Sequence, residues 1–296
     1  MDSKKVFVLK DYEGLGTHFY VELFLREKNI DEGKVSKRLK KEIEEFDDKY
    51  SRFKNDSLLN SLNKNRSIVF DYDLAKMIEL ANFANIKTDG VFDIFIKEKL
   101  EEKGYGKTEE SNKKTFLENS TVEVKEEYIF IKGERSIDLG GVGKGYLIDK
   151  LAKILLEEFN IRYFLVNGGG DILVTSDYEN DIELFLEHPT NKDEYIYKIK
   201  IKNKSFCSSS SFKRMWQKGT RNVNHFVNKE NKEIWASSYI VSKDASTADM
   251  FATVACLLSE NEEEIKRMAK DFSADYLIIN EKGEFYKSDN FPNLIN

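Results

Sequence analysis

The sequence predicts an α+β fold in which antiparallel sheets are flanked by peripheral helices. Three observations carry this. Alternating or apolar runs come in adjacent pairs with only short connections, at residues 163–166 with 171–174, 182–186 with 195–201, and 275–279 with 284–286. The first two are joined by a glycine turn, and the set reads as antiparallel sheet. Apolar residues recur at helical spacing in several other stretches, and no repeat, low-complexity segment or linker divides the chain, so residues 1–296 read as one unit.

In chain order, residues 17–26 alternate and begin the sheet. Residues 31–50 form a charged helix with Val35, Leu39, Ile43 and Phe46 on its inner face. Residues 57–63 and 74–85 are further helices, the second carrying Met77, Ile78, Leu80 and Ala81. Residues 104–121 are polar and are expected as an exposed excursion. Residues 128–132 alternate as a strand, and a helix follows in which Leu147, Ile148, Leu151, Ala152, Leu155 and Phe159 share one face. After the paired strands at 163–174, with Gly168–Gly170 as their turn, the strands at 182–186 and 195–201 follow. A helix at 247–259 and the final strand pair complete the chain.

Bulk properties exclude several classes of partner. The formal net charge is −6 with 34% charged residues of both signs, so no basic stripe is present to neutralise a nucleic-acid backbone. A 40% hydrophobic share supports a sizeable core. Cys207 and Cys256 are the only cysteines and stand among small or apolar residues, which predicts buried thiols; no metal-binding cysteine spacing exists. The start of the chain has no apolar stretch followed by a cleavage site, and no apolar run is long enough to span a membrane. As it stands the sequence reads as cytoplasmic, the alternative being an exported or lipid-anchored protein whose leader has been removed.

Two stretches bear on chemistry. IDLGGVGKGYLID, residues 137–149, places four glycines at 140, 141, 143 and 145 between a strand and a helix. Glycine lets backbone N–H groups approach a ligand, and a helix N-terminus favours anions, so the order is that of a phosphate cradle. It is neither a Walker A nor a GxGxxG, and a tight packing turn explains the same residues. In DASTADMFATVACLL, residues 244–258, Asp249 and Thr253 are four apart and share a helix face. Their oxygens suit a hard cation such as Mg2+. The competing reading is a capping box, Ser246-x-x-Asp249, in which the acid serves only the helix start. Of the three histidines, His188 precedes Pro189 and reads as a turn residue, whereas His225 lies in a polar stretch where a base could be exposed. Ser208–Ser211 lack the elbow of a serine hydrolase.

Taken together, the motifs resemble those of the FAD:protein FMN transferases, the ApbE or thiamine-biosynthesis lipoprotein family. Gly16-Thr17 resembles its opening GT. Ser51-Arg52-Phe53 with SLLNSLN (57–63), and then DGVFD (89–93), follow in order. IDLGGVGKGYLID resembles the family's DLGG-x-[AG]-KGY; VNGGGDI, Glu187-His188-Pro189 and AD-x-x-AT at 248–253 complete the series. The resemblance implies a T-fold-like architecture around an FAD cleft. It implies that Leu15, Phe53, Val91, Phe92, Asp93, Gly140, Tyr146 and Val227 line FAD, with Phe53 against the isoalloxazine. It implies that the Gly143 carbonyl, Asp249 and Thr253 hold Mg2+, and that His225 is the base. The implied reaction cleaves FAD, attaches FMN through its phosphate to a threonine or serine of an acceptor protein with a D-x-x-[ST]-G-A-T-like motif, and releases AMP. This chain contains no S/T-G-A-T of its own. An Mg2+-dependent FAD pyrophosphatase or a non-catalytic FAD-binding protein would use the same cleft. The chain departs from the family where H-x-x-D-P becomes His225-Phe226-Val227-Asn228-Lys229, where Ser208–Ser211 replace TSG, and where Ala252 stands at a position that carries an acid in some members.

Overall fold

The computed structural model describes residues 4–25, 30–105, 120–176, 181–191, 193–212, 215–218, 221–227, 234–280 and 282–295. The chain opens with a hairpin, β1 (Lys4–Gly14) and β2 (Thr17–Leu25). Leu15 and Gly16 close it with φ of 51° and 66°, the left-handed pair that a two-residue hairpin turn requires. The helix α1 (Glu32–Tyr50) follows, started by Asp31, whose carboxylate accepts the Lys34 N–H. Next come α2 (Leu58–Asn65), capped by Ser57, then β3 (Ser67–Val69), α3 (Tyr72–Lys87), capped by Asp71, and α4 (Lys97–Lys103). Strands β4 (Thr121–Val124) and β5 (Tyr128–Lys132) pair with β3 into a small sheet of order β3-β5-β4.

The glycine-rich stretch leads into α5 (Gly143–Glu157), and a second tight hairpin follows, β6 (Phe164–Gly168) and β7 (Asp171–Thr175). Beyond it lie the β8 (Ile182–Glu187) and β9 (Tyr195–Ile201) hairpin, β10 (Lys204–Ser210), the short pair β11 (Met215–Lys218) and β12 (Arg221–Asn224), and β13 (Ser237–Ser242). Helices α6 (Ala245–Leu257) and α7 (Glu262–Asp271) and strands β14 (Asp275–Ile279) and β15 (Phe285–Lys287) close the chain.

The main sheet is eight-stranded, of order β1-β2-β6-β7-β10-β13-β14-β15, with every pairing antiparallel. One face is covered by α1, α5 and α6, whose Ile43, Leu151, Phe251 and Ala255 pack with Phe19, Val166 and Ile240 from the strands. On the other face the β8–β9 hairpin lays Leu184, Leu186, Ile199 and Ile201 over Tyr239, Val241 and Leu277. Both faces of the middle strands are therefore dry, and all six residues of β13 are buried. The architecture is the expected α+β one. Cys207 and Cys256 are free and buried, and His188 accepts from the N–H groups of Thr190 and Asn191, a turn role as predicted. Among the described residues no helix is long and apolar enough to cross a membrane.

The differences from the expected elements have physical causes. Strand β1 escapes the alternation argument because its register is shifted twice, between Phe7 and Leu9 and between Leu9 and Tyr12, so its inward residues do not hold a period of two. Helix α7 is strongly amphipathic but only three residues, Ile265, Met268 and Ala269, are buried amid charge. Most of the expected excursion at 104–121 lies outside the described residues; Thr121 already belongs to β4.

Candidate functional site

The two tight hairpins place their turns side by side at one end of the main sheet. The Gly169 N–H donates to the His18 carbonyl at 3.0 Å, and a Cβ on Gly169 would stand 2.1 Å from Thr17 Oγ1, at a φ of 68°. Only glycine fits there. The loop from β5 to α5 arrives at the same end. Its backbone is clasped by Asn63, whose amide bonds both the N–H and the carbonyl of Ile137 at 2.8 and 2.9 Å. Asp138 then turns it: one carboxylate oxygen accepts the Gly140 N–H at 2.8 Å and the other pairs with Arg52 Nε at 2.8 Å. The Arg52 guanidinium in turn lies 4.6 Å from the Phe53 ring and 5.0 Å from Tyr105.

The glycines of this loop divide between packing and access. A Cβ on Gly145 would lie 2.2 Å from the Ala245 carbonyl oxygen, so this residue is glycine because α5 and α6 touch there. On Gly141 it would meet the Phe92 ring at 3.0 Å. Gly143, by contrast, has nothing within 4 Å of its Cβ direction. The packing turn and the open cradle are thus both present, at different glycines.

Where α5 starts, three charges meet. Lys144 Nζ lies 2.5 Å from Asp171 and 2.7 Å from Asp249. The second oxygen of Asp249 accepts the Gly145 N–H at 2.9 Å, and that of Asp171 accepts the Ser208 N–H at 3.0 Å. Burial works against the Lys144 charge, but the two carboxylates outweigh it and push its pKa up. Burial, reinforced by Asp249, raises that of Asp171, although Lys144 opposes the shift. These bonds overturn the capping-box reading. The N-cap of α6 is Asp244, which accepts the Thr247 N–H at 2.8 Å, while Asp249 crosses to the first turn of α5. The anion favoured by that N-terminus is therefore supplied by the protein itself. Asp149 adds a second tie from α5, accepting the N–H groups of Ala245 and Ser246, each at 2.8 Å; burial pushes its carboxyl up to about 6.

A cavity of about 170 Å³ opens over this centre. It is lined by Phe92, Asp93, Gly140, His225, Val227, Asp249 and Thr253 among the predicted residues, joined by Lys144, Asp171 and Ser208–Ser210. A second cavity, of about 100 Å³, is lined by Leu15, Phe53 and Gly143 and shares Tyr105, Asp138, Gly140 and Lys144 with the first. Phe53 is 60% exposed there, an apolar face presented at the mouth. A wider recess of about 910 Å³ lies across the 92–95 segment, but its Asp93 and Arg135 pair with each other at 2.8 Å and no histidine lines it. The chemistry is concentrated in the two smaller cavities.

Two predicted residues stand elsewhere. Tyr146 lines neither cavity; its hydroxyl donates to Asp73 at 2.9 Å and its ring stacks on Phe46, because one step past Gly145 the helix faces α1 and α3. Val91 lines neither and sits in the turn after α3, its N–H bonded to Thr88. Asn228, where the flavin loop departs from the family pattern, lies outside the described residues. Conversely, the sequence reading passed over Lys144, Asp171, Asp138, Arg52 and Tyr105. Asp249, Asp171 and Thr253 line one cavity, and their oxygens are of the kind that fits a hard divalent cation; Gly143 lines the adjoining cavity.

Comparison with known proteins agrees with the motif reading. The ApbE family model matches residues 15–278. The FAD:protein FMN transferase of Buchnera aphidicola subsp. Schizaphis graminum is 24% identical over 235 residues, covering 72% of this chain and 69% of its own length. That of Salmonella typhimurium is 24% identical over 264 residues, 80% of this chain and 74% of its own. Among solved structures, the ApbE protein of Thermotoga maritima superposes with a TM-score of 0.81 at 21% identity, covering 98% of each chain. The flavin transferase ApbE of Vibrio cholerae does so with 0.79 at 17%, again over 98% of each.

Proposed function

The chain belongs to the ApbE family, and from that premise we propose that it is an FAD:protein FMN transferase acting as a single 1–296 unit. The substrate is FAD. The acceptor is the hydroxyl of a threonine or serine in another protein, within a D-x-x-[ST]-G-A-T-like motif. The observation that carries the reading is the convergence, around one pair of adjoining cavities, of an imidazole, an acid and hydroxyl pair, a glycine turn and an exposed aromatic face.

In the proposed reaction the acceptor oxygen attacks the FMN-side phosphorus. The bond from that phosphorus to the bridging oxygen breaks, and AMP leaves with the bridging oxygen. Phe53 offers its exposed face to the isoalloxazine beside Leu15, and the open backbone at Gly143, next to the cavity-lining Gly140, lets the diphosphate approach. His225, which lines the first cavity, takes the acceptor proton. Asp249 and Thr253, with the Gly143 carbonyl, would hold Mg2+, whose contribution when bound is to neutralise charge growing on the diphosphate oxygens. Lys144 and Arg52 add positive charge at the junction of the two cavities and in the second.

Incubating the protein with FAD and Mg2+, with and without an acceptor domain bearing the motif, and weighing the acceptor by mass spectrometry tests this. A mass gain of one FMN, with AMP released in equal amount, is expected. FMN and AMP formed at the same rate without acceptor, and no mass gain with it, would make water the nucleophile and reject the transferase reading.

A further inference from the structure

The pairing at the start of α5 gives Lys144 a part that goes beyond adding charge. Asp171 and Asp249 are each 2% exposed, and each has one oxygen tied to a backbone N–H, from Ser208 and Gly145. The donors of those bonds are fixed in the backbone of β10 and of the first turn of α5. The other oxygen of each carboxylate is held by Lys144 Nζ, at 2.5 and 2.7 Å. These are the exchangeable bonds, because the ammonium sits on a flexible four-carbon stem. The same side chain is 18% exposed and lines both cavities, and the neighbouring Gly143 leaves open space on the side of the second one. Thr253, four residues beyond Asp249 on the same helix face, also lines the first cavity.

We propose that Lys144 is a resident counter-cation, its ammonium holding the place on Asp249 that an entering divalent cation must take, with Asp171 as its second anchor. This rests on the cation site of the proposed function and adds to it a residue and an order of events. The cation-free protein is kept electrostatically closed by its own lysine. Cation entry moves Nζ off Asp249 and into the junction of the cavities. Asp171 becomes a positioning residue, holding the displaced lysine near the centre. Lysine and cation compete for the same carboxylate oxygen, so the lysine lowers cation affinity in the absence of FAD.

The test is titration of FAD-free protein with Mn2+, reading the bound ion by electron paramagnetic resonance. A hydrogen bond between charged groups is worth a factor of about ten to a hundred, so Lys144→Met is expected to bind Mn2+ about ten- to hundredfold more tightly than wild type. Because that variant leaves two buried carboxylates facing each other, Lys144→Met combined with Asp171→Asn is measured beside it. The double variant keeps the wild-type net charge of the centre, so tighter binding there reports the removal of a competitor and not a gain of negative charge. Wild-type or weaker Mn2+ binding in both lysine variants overturns the proposal alone. Absence of Mn2+ binding in every protein, with FAD present as well as without it, overturns the cation site and the proposal with it.

Discussion

Replacing Asp249 separates the chemical role of this carboxylate from its structural one. In the wild-type protein it accepts two charge-assisted hydrogen bonds while 2% exposed, from Lys144 Nζ at 2.7 Å and the Gly145 N–H at 2.9 Å. Bonds of this kind contribute about 1.5 to 3 kcal/mol each. Asp249→Ala removes both, but Lys144 keeps Asp171, so the ammonium is not left uncompensated and the cost falls at the low end, about 3 kcal/mol. For a chain of 296 residues, with an unfolding entropy of about 2.1 cal/mol/K per residue, that lowers the melting temperature by about 5 °C, and the protein remains folded at 25 °C. Asp249→Asn keeps an acceptor for Gly145 but turns an NH2 donor toward Lys144, so it gives up one charge-assisted bond, at a cost of about 1.5 to 3 kcal/mol. On the proposed reaction the two variants nevertheless share one kinetic fate, since both lack the anionic ligand: transfer per folded molecule falls by more than about a hundredfold. The assay is melting temperature together with Mg2+-dependent FMN transfer on the same preparations. A folded Asp249→Asn protein with wild-type turnover and unchanged Mg2+ dependence would refute the metal role. Equal melting temperatures for wild type and Asp249→Ala would refute the energetic reasoning from the Lys144 and Gly145 bonds.

Four further outcomes are expected. Phe53→Ala weakens FAD binding several-fold in a flavin fluorescence titration, since stacking adds about 0.5 to 1.5 kcal/mol beyond burial; unchanged affinity removes Phe53 from the site. His225→Ala slows transfer more than about tenfold at saturating FAD with FAD affinity nearly constant, as for a group acting on the acceptor proton; an unaffected rate places the base elsewhere. Gly145→Ala forces a Cβ to within 2.2 Å of the Ala245 carbonyl and costs about 1 to 3 kcal/mol by pushing α6 from α5, which thermal melting will detect, and an unchanged melting temperature would contradict the contact. For Asp149, burial raises the folded-state pKa from 3.8 to about 6, so the native state binds a proton that the unfolded chain releases between those values. Its stabilising contribution is full below pH 3.8 and lost as pH rises through about 6. Wild type should therefore gain roughly 1 kcal/mol over Asp149→Asn between pH 8 and pH 5, and equal denaturant midpoints across that range would count against the shift.

The parts of the fold legible in the sequence were those whose surroundings repeat. Helix α1 buries Val35, Leu39, Ile43 and Phe46 against one partner surface, and its cap, Asp31, stands where the apolar period begins. The hairpin at 164–175 announced itself by two strands around a glycine turn. Strand β13 was not legible because it is covered on both faces: SSYIVS has no alternation to read, and its serines are buried by bonds to other parts of the chain, such as Ser238 to the Ala252 carbonyl at 2.7 Å. Strand β10, KSFCSSS, fails for the same reason.

The candidate site was legible wherever its residues lie within one motif and illegible where its function depends on a pairing across the chain. Asp249 and Thr253 could be matched because four residues along a helix fix a shared face. Lys144 and Asp171 could not, since 27 residues separate them, and 105 separate Lys144 from Asp249. The available signal was indirect: a lysine among glycines at the first turn of a helix, where cations are disfavoured, has to be compensated by acids from elsewhere. Asp171, an acid directly after a glycine hairpin turn and ahead of an apolar strand, was the natural donor. The same reasoning accounts for Tyr146. Its place in the motif suggested a ligand contact, but helical geometry turns the residue after Gly145 away from the cavity, and Asp73 waits there to accept its hydroxyl. Motif adjacency thus identifies which loop makes the site, while the direction of each side chain and the acids that neutralise its lysine are set by the two helices that meet at Gly145.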